Sequence, residues 1–185
     1  MRRIGINFDA VKGLSDGTLV DTLAALGFGA TFSGVMADAV RQRELAELLK
    51  KKGIRLAFEN QRLLYNLAWI LEVCRDEETV AFCWDAGHEG CFTPGREYMP
   101  LFSDRLIALH LHDNRGVYNA DDHMLPLDGM LDYGRITRQI RESGYTGTMM
   151  LEVFAKEAFY GGVSPEEFLA RAARAAKELI KRTDG

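Results

Sequence analysis

Short apolar segments alternate with amphipathic segments along the chain, and this alternation restricts the fold more than any other feature of the sequence. Six of the apolar segments predict strands: RRIGINFDA, FGATFS, IRLAFEN, TVAFCWDAG, RLIALHLHD and TGTMMLEVF. They are nearly continuously apolar, as expected of strands that are buried on both faces. Strands that alternate with helices through short connections predict a parallel sheet covered by helices.

The segments between the strands predict helices. They are SDGTLVDTLAALG, residues 38–52, NLAWILEVC, LDYGRITRQIRESG and SPEEFLARAARAAKELIKR. The last helix begins with a capping box, because Ser164 precedes Pro165 at the first helical position and Glu167 follows three residues after Ser164. No proline-rich linker or change in composition divides the chain, so we expect one domain over residues 1–185.

The composition argues against several classes of protein. The 185 residues are 47% hydrophobic and 27% charged, with a formal net charge of −4, and they form no basic patch of the kind that binds nucleic acid. Asp9 interrupts the apolar region that a signal peptide needs, and no segment approaches 18 consecutive apolar residues. We therefore expect a cytoplasmic protein without nucleic-acid or membrane partners. Three cysteines without a CxxC pair predict buried thiols rather than disulfides: Cys74, Cys83 and Cys91.

Four of the predicted strands end in side chains that can bind a metal. These side chains are Glu59, Asp85, His110 (with His112 two places on) and Glu152. In a parallel α/β barrel the carboxyl ends of the strands meet at one rim, where active sites of this architecture lie. Carboxylates and an imidazole at that rim predict a site for a divalent metal such as Mn, Zn, Mg or Co. Strand spacing does not choose between His110 and His112, because side chains repeat every two residues.

Each of these residues also has a plain structural interpretation. Considered alone, Asp85 is typical of a helix cap or a turn, and His110 is typical of a hydrogen-bonded core histidine. His88 lies one turn beyond Asp85 and is expected to reach the same pocket, with Gly87 allowing a tight backbone between them. The joint occurrence at four strand ends favours the metal site.

A polar loop between a predicted strand and a predicted helix carries further candidates. The segment DDHMLPLDGMLDY, residues 121–133, places Asp121 and His123 on a loop, where functional residues are common. As a structural alternative, Asp121 and Asp122 form a solvated turn that Pro126 and Gly129 shape.

Together, AFEN, WDAGH, HLHDN, DDHMLPLDGMLD and GYTGTMMLEV resemble the sugar phosphate isomerase/epimerase family. That family belongs to the xylose isomerase-like TIM barrels, a superfamily that includes endonuclease IV. The resemblance covers roughly residues 53–155. It implies that one divalent metal is bound by Glu59, Asp85, His110 and Glu152, and it chooses His110 over His112. It also implies that Glu59 and Glu152 are the acid/base pair.

The same resemblance gives roles to the remaining polar residues. His88 matches a histidine that contacts substrate in the epimerases and a second metal in endonuclease IV. Asp121 and His123 match an Asp-x-His pair that binds a further metal in endonuclease IV. We assign substrate binding to His88, His112, Asp121 and His123, with a second metal or loop anchoring as the alternatives for Asp121 and His123.

The chain is short for this architecture. TIM barrels have eight strands and typically about 250 residues, whereas this sequence predicts about six strand-helix units. Three outcomes are possible: a smaller closed barrel, an open sheet whose edges are covered by dimerisation, or a deletion variant that has lost activity. We expect an incomplete barrel that forms a homo-oligomer over its exposed sheet edges.

Three functions follow from these residues. The first is a metal-dependent isomerase or epimerase that acts on a sugar or sugar phosphate, a small-molecule substrate. The second is an endonuclease IV-like metal phosphodiesterase, which the acidic charge opposes. The third is a truncated homologue that binds metal without catalysis.

Overall fold

The computed structural model describes residues 4–7, 15–25, 28–33 and 39–185. The described part of the chain contains strands β1 (Ile4–Asn7), β2 (Phe28–Ser33), β3 (Arg55–Glu59), β4 (Val80–Asp85) and β5 (Leu106–His110). Its α-helices are α1 (Asp16–Ala25), α2 (Ala39–Lys51), α3 (Leu64–Val73), α4 (Ala86–Phe92), α5 (Met99–Phe102), α6 (Tyr133–Glu142), α7 (Glu157–Tyr160) and α8 (Pro165–Asp184). The predicted helix stop at Gly27 and helix start at Asp38 lie outside the described residues.

Tertiary contacts divide the chain into two compact units. Unit 1 is Met1–Cys83 and unit 2 is Trp84–Gly185. The expectation of a single domain over residues 1–185 stays a prediction.

Unit 1 is a parallel sheet with helices packed on it. β1 pairs with β2, β2 with β3, and β3 with β4, all in parallel. The described side chains of β3 and β4 are buried except for Arg55, which is half-buried, as the continuous apolar runs predict. In this register Glu59 pairs with Cys83, and Glu59 is therefore the last residue of β3.

Helix packing and an apolar cluster stabilise unit 2. Helix α6 packs against α8. The buried members of the cluster are Leu125, Tyr160, Phe168 and Ala172. Helix α8 begins as predicted, because the Ser164 side chain accepts a hydrogen bond from the backbone N–H of Glu167. Cys74, Cys83 and Cys91 are buried and form no disulfide among the described residues, which confirms the prediction for the thiols.

The predicted sixth strand, TGTMMLEVF, is reduced to a single bridge. Leu111 and Leu151 form an isolated parallel pair, with Leu111 N–H donating to the Met150 carbonyl at 2.9 Å and Glu152 N–H donating to the Leu111 carbonyl at 3.2 Å. Met150 and Phe154 are about half exposed, so this segment lacks the burial that sustains a longer strand. The prediction of a regular strand here was wrong, although its parallel direction was right.

Strand β4 ends at Asp85, as predicted. Helix α4, which begins at Ala86, was not predicted from the sequence. Gly87 has helical backbone, so this position does not require the conformational freedom of glycine.

Among the described residues, no helix combines the length and the hydrophobicity that a membrane-spanning segment requires.

Candidate metal and substrate site

The two carboxylate oxygens of Asp85 make different contacts. Its Oδ1 accepts a hydrogen bond from the backbone N–H of His88 at 2.7 Å and so caps α4. Its Oδ2 lies 3.5 Å from His88 Nδ1 and 3.9 Å from His110 Nδ1. The helix-cap interpretation and the ligand interpretation are therefore compatible.

The charge of Asp85 is set by its histidine neighbours. Burial alone raises the pKa of a carboxyl group, and Asp85 is fully buried. The nearby imidazoles of His112 and His88, together with the His88 backbone N–H, outweigh burial and lower the pKa to about 2. Asp85 is therefore a carboxylate at neutral pH, the form that binds a cation.

Asp85, His110 and Glu152 form what we call the strand-end cluster. One ligand atom from each lies within 4.8 Å of the others. His110 Nδ1 is 2.9 Å from Glu152 Oε2. Glu152 Oε2 is nevertheless buried and makes no hydrogen bond among the described residues. A buried carboxylate oxygen without a partner is costly.

The strand-end cluster fits a divalent cation. It offers two carboxylates and one imidazole, a mixed oxygen and nitrogen set that suits Zn²⁺ and Mn²⁺. A cation between the three side chains would satisfy Glu152 Oε2, which no described protein group does.

Glu59 lies in the other unit. It is 6% exposed at the end of β3, and its Oε2 accepts a hydrogen bond from Gln61 Nε2 at 2.5 Å. Its role as a fourth ligand stays a prediction from the sequence.

Four residues of unit 2 form a second group, which we call the histidine cluster: His88, His112, Asp121 and His123. One ligand atom from each lies within 4.8 Å of the others. Asp121 Oδ2 is 3.3 Å from His88 Nε2 and 3.1 Å from His123 Nε2. The four residues assigned to substrate binding are thus adjacent in space, while their role stays a prediction.

His112 lies between the two clusters. Its Nε2 is 3.0 Å from Asp85 Oδ1 and 3.8 Å from Asp121 Oδ1. The residue is fully buried, and neither ring nitrogen makes a hydrogen bond within the described part of the chain. Gly87 creates the space for this ring, since a Cβ at position 87 would lie 2.0 Å from His112 Cε1. Close approach, rather than a special turn, explains this glycine.

Asp121 and His123 shift each other's pKa. Burial opposes ionisation of Asp121, but its bonds to His123 and His88 hold the pKa of that carboxyl far below its usual range. Burial alone would lower the pKa of His123, whereas the bonds to Asp121 and to the Glu152 carbonyl raise it. The pair is therefore strongly polarised, with the negative charge on Asp121.

Asp113 stabilises the loop that carries Asp121 and His123. This residue was not identified from the sequence. Asp113 forms an antiparallel bridge with Met124, and its carboxylate accepts hydrogen bonds from the backbone N–H groups of Leu127 and Leu131. Burial raises the pKa of Asp113, and these N–H groups counteract part of that rise. A run of polar residues directly after an apolar strand, HDN, is the signal that could have identified it.

The parallel strands, the helices that follow them and the clustered carboxylates and imidazoles define an α/β protein with a candidate metal site. The chain belongs to the xylose isomerase-like TIM barrel family, whose sequence pattern matches residues 37–183. This confirms the fold class predicted from the sequence.

Individual solved structures are also similar to this chain. A solved xylose isomerase domain protein from Alicyclobacillus acidocaldarius has a TM-score of 0.74 and 19% identity, with 100% of this chain and 78% of that chain covered. A sugar phosphate isomerase/epimerase from Parabacteroides distasonis has a TM-score of 0.68 and 16% identity, with coverage of 96% and 72%. The chain is thus shorter than these structures.

One relative is similar over a shorter segment. The uncharacterised protein y4fM of Sinorhizobium fredii is 42% identical over 74 residues, which are 40% of this chain and 23% of that protein. The chain therefore matches about a quarter of the length of this relative.

Proposed function

We propose that the protein is a metal-dependent isomerase or epimerase of a sugar or sugar phosphate. The observation that supports this most strongly is the convergence of Asp85, His110 and Glu152, three side chains from separate parts of the chain, around a buried carboxylate oxygen. The family membership and the sugar-processing names of several structural neighbours are consistent with it.

In this proposal Asp85, His110, Glu152 and Glu59 hold one divalent cation, with Mn, Zn, Mg and Co as candidates. A bound divalent cation polarises a carbonyl group and stabilises the negative charge that develops when the neighbouring carbon loses its proton. His88, His112, Asp121 and His123 bind the substrate in this scheme.

Glu152 and Glu59 transfer the proton. The Glu152 side chain is about one third exposed, so a substrate can approach it although its Oε2 is buried. It removes or returns a proton at the carbon beside the carbonyl on one face, and Glu59 does the same on the opposite face. A pair of carboxylates whose surroundings separate their protonation states can serve as base and acid in turn.

Solvent isotope exchange tests this function. In D₂O, the metal-loaded protein should incorporate deuterium beside the carbonyl of its substrate, detected by NMR across a panel of ketoses and their phosphates. Glu152→Gln and Glu59→Gln should lower the rate by roughly 10²–10⁴-fold. Glu142→Gln, which replaces an exposed glutamate on α6, is the matched control and should leave the rate unchanged. Metal binding without exchange of any sugar would support the non-catalytic homologue.

The histidine cluster favours a second candidate function, a metal phosphodiesterase. Asp121 Oδ1 and His112 Nε2 lie 3.8 Å apart and are both buried without hydrogen-bond partners among the described residues, and a second cation between them would satisfy both atoms. Salt-dependent binding to duplex DNA with an abasic site would support this candidate, and its absence would exclude it.

We also propose that the chain forms a homo-oligomer that covers exposed edges of its sheet, because an incomplete barrel leaves edges that can pair with another copy. Sedimentation velocity should show a species larger than the 20.7 kDa monomer, and a monomer at all concentrations would reject this arrangement.

A further inference from the structure

Helix α4 connects the two clusters but is too short to be stable by itself. It has seven residues, begins directly after Asp85 and carries His88 in its first turn. Isolated helices of this length do not form in water, so tertiary contacts must fix its position. Any rotation of α4 moves His88 relative to Asp85.

Glu89, the residue after His88, connects α4 to three neighbouring segments through its side chain. It is 1% exposed. Its Oε2 accepts hydrogen bonds from Trp84 Nε1 and from the Tyr98 backbone N–H, both at 2.9 Å. Its Oε1 accepts one from an Arg135 guanidinium nitrogen at 2.7 Å. One carboxylate therefore joins α4 to β4, to the segment before α5, and to α6.

Arg135 is itself held by Gln139, which in turn contacts Glu97. The same guanidinium nitrogen donates to Gln139 Oε1 at 3.0 Å, and Gln139 Nε2 donates to Glu97 Oε2 at 2.7 Å. A buried charge pair adds little net stability over apolar residues of the same size, because desolvation opposes the attraction. What this pair provides is a directional contact that permits one placement of the helix.

We propose that Glu89 and Arg135 are positioning residues, which orient α4 so that the backbone N–H and the imidazole of His88 hold the Asp85 carboxylate in the geometry needed to bind a cation. This inference rests on the proposed metal site. It predicts that loosening the pair weakens metal binding, even though neither residue contributes a ligand atom to either cluster.

Zinc titration tests the proposal with the full-length chain. Isothermal titration calorimetry with Zn²⁺ alone should show affinity about 10-fold weaker for Glu89→Gln and for Arg135→Lys, the scale seen when supporting contacts of metal ligands are removed. The matched control is Arg138→Lys, the same substitution on the exposed side of α6, whose affinity should stay within about twofold of the parent. In the metal-free protein, the ring resonances of His88 should move in the first two variants and not in the control.

Two results would overturn the proposal. The first is zinc affinity and His88 resonances equal to the parent in Arg135→Lys while its melting temperature falls, because the pair would then only stabilise the fold. The second is an Arg138→Lys affinity that falls as far as that of Arg135→Lys. If Glu89→Gln does not fold, Arg135→Lys and Trp84→Phe, which removes one donor to Glu89, decide the question. If the parent binds no zinc, the proposed metal site fails, and the His88 resonances still test the positioning.

Discussion

The imidazole of His123 shows how a single residue defines the chemistry of the histidine cluster. Its Nδ1 lies 2.8 Å from the Glu152 carbonyl oxygen, and a carbonyl can only accept, so Nδ1 carries a proton. The other nitrogen, Nε2, lies 3.1 Å from Asp121 Oδ2. A lone pair facing a carboxylate is unfavourable, so Nε2 binds either a proton or a cation.

The raised pKa of His123 predicts how the stability of the metal-free protein depends on pH. The folded pKa is above the ordinary value of 6.5 because of the bonds to Asp121 and to the Glu152 carbonyl, although burial opposes them. The stabilisation is therefore fully present below pH 6.5 and is lost as the pH rises through the folded pKa. Urea unfolding of the chelator-treated protein between pH 6 and pH 9 should show this loss.

His123→Gln provides the control for that experiment, because glutamine does not titrate. Its stability should depend less on pH across the same range. An identical pH dependence in the parent and the variant would show that His123 does not gain its proton as described.

Residue types and spacing identified most of the candidate site, and they failed where one side chain has two roles. The sequence offered helix cap or metal ligand for Asp85, and the structure shows Oδ1 capping α4 while Oδ2 faces two histidines. Spacing also left His110 and His112 equivalent, although His110 faces Glu152 and His112 lies against Asp121. Glu89 and Asp113 were missed because their partners are distant in sequence.

Among the connecting elements, the turn at Leu127 is strained. Leu127 has a φ of 76°, a left-handed conformation that branched and bulky side chains rarely adopt. Its backbone N–H is fixed by Asp113 Oδ2 at 3.1 Å, which holds the loop in this form. The side chain is 38% exposed, so removing it loses little buried apolar surface.

Leu127→Gly should therefore stabilise the protein. Relief of the left-handed strain is worth roughly 1–3 kcal/mol, and the extra chain entropy of glycine costs roughly 0.5–1 kcal/mol. We expect a net gain of about 1 kcal/mol, measured as a higher melting temperature by circular dichroism.

Leu169→Gly is the matched control, because Leu169 is an exposed leucine within α8 and has no strain to relieve. It should lose about 1 kcal/mol from helix propensity. A melting temperature that falls equally in both variants would contradict the account of the Leu127 turn.

Elements with a strong pattern were predictable, and short ones were not. Helix α8 has its capping box and begins at Pro165 as predicted. Helix α4, with two glycines in seven residues, has no apolar periodicity to reveal it and forms through tertiary contacts. The segment around Leu151 has strand composition but makes only one bridge, because pairing depends on neighbours that local composition does not specify.

On the scale of the whole molecule, strand-helix alternation predicted the family's fold and its shortening. The chain covers 78% of the Alicyclobacillus structure. Five strands are present in the described residues, where the sequence predicted six. The proposed activity depends on the residues retained at the strand ends rather than on the number of strands, since active sites of this architecture lie at that rim.

Anomalous X-ray scattering at the zinc edge, from crystals grown with Zn²⁺, tests the central claim most directly. If the strand-end cluster binds zinc, a peak should lie about 2.0–2.2 Å from the donor atoms of Asp85, His110 and Glu152. Zinc-loaded crystals whose peaks lie only away from these three side chains would contradict it.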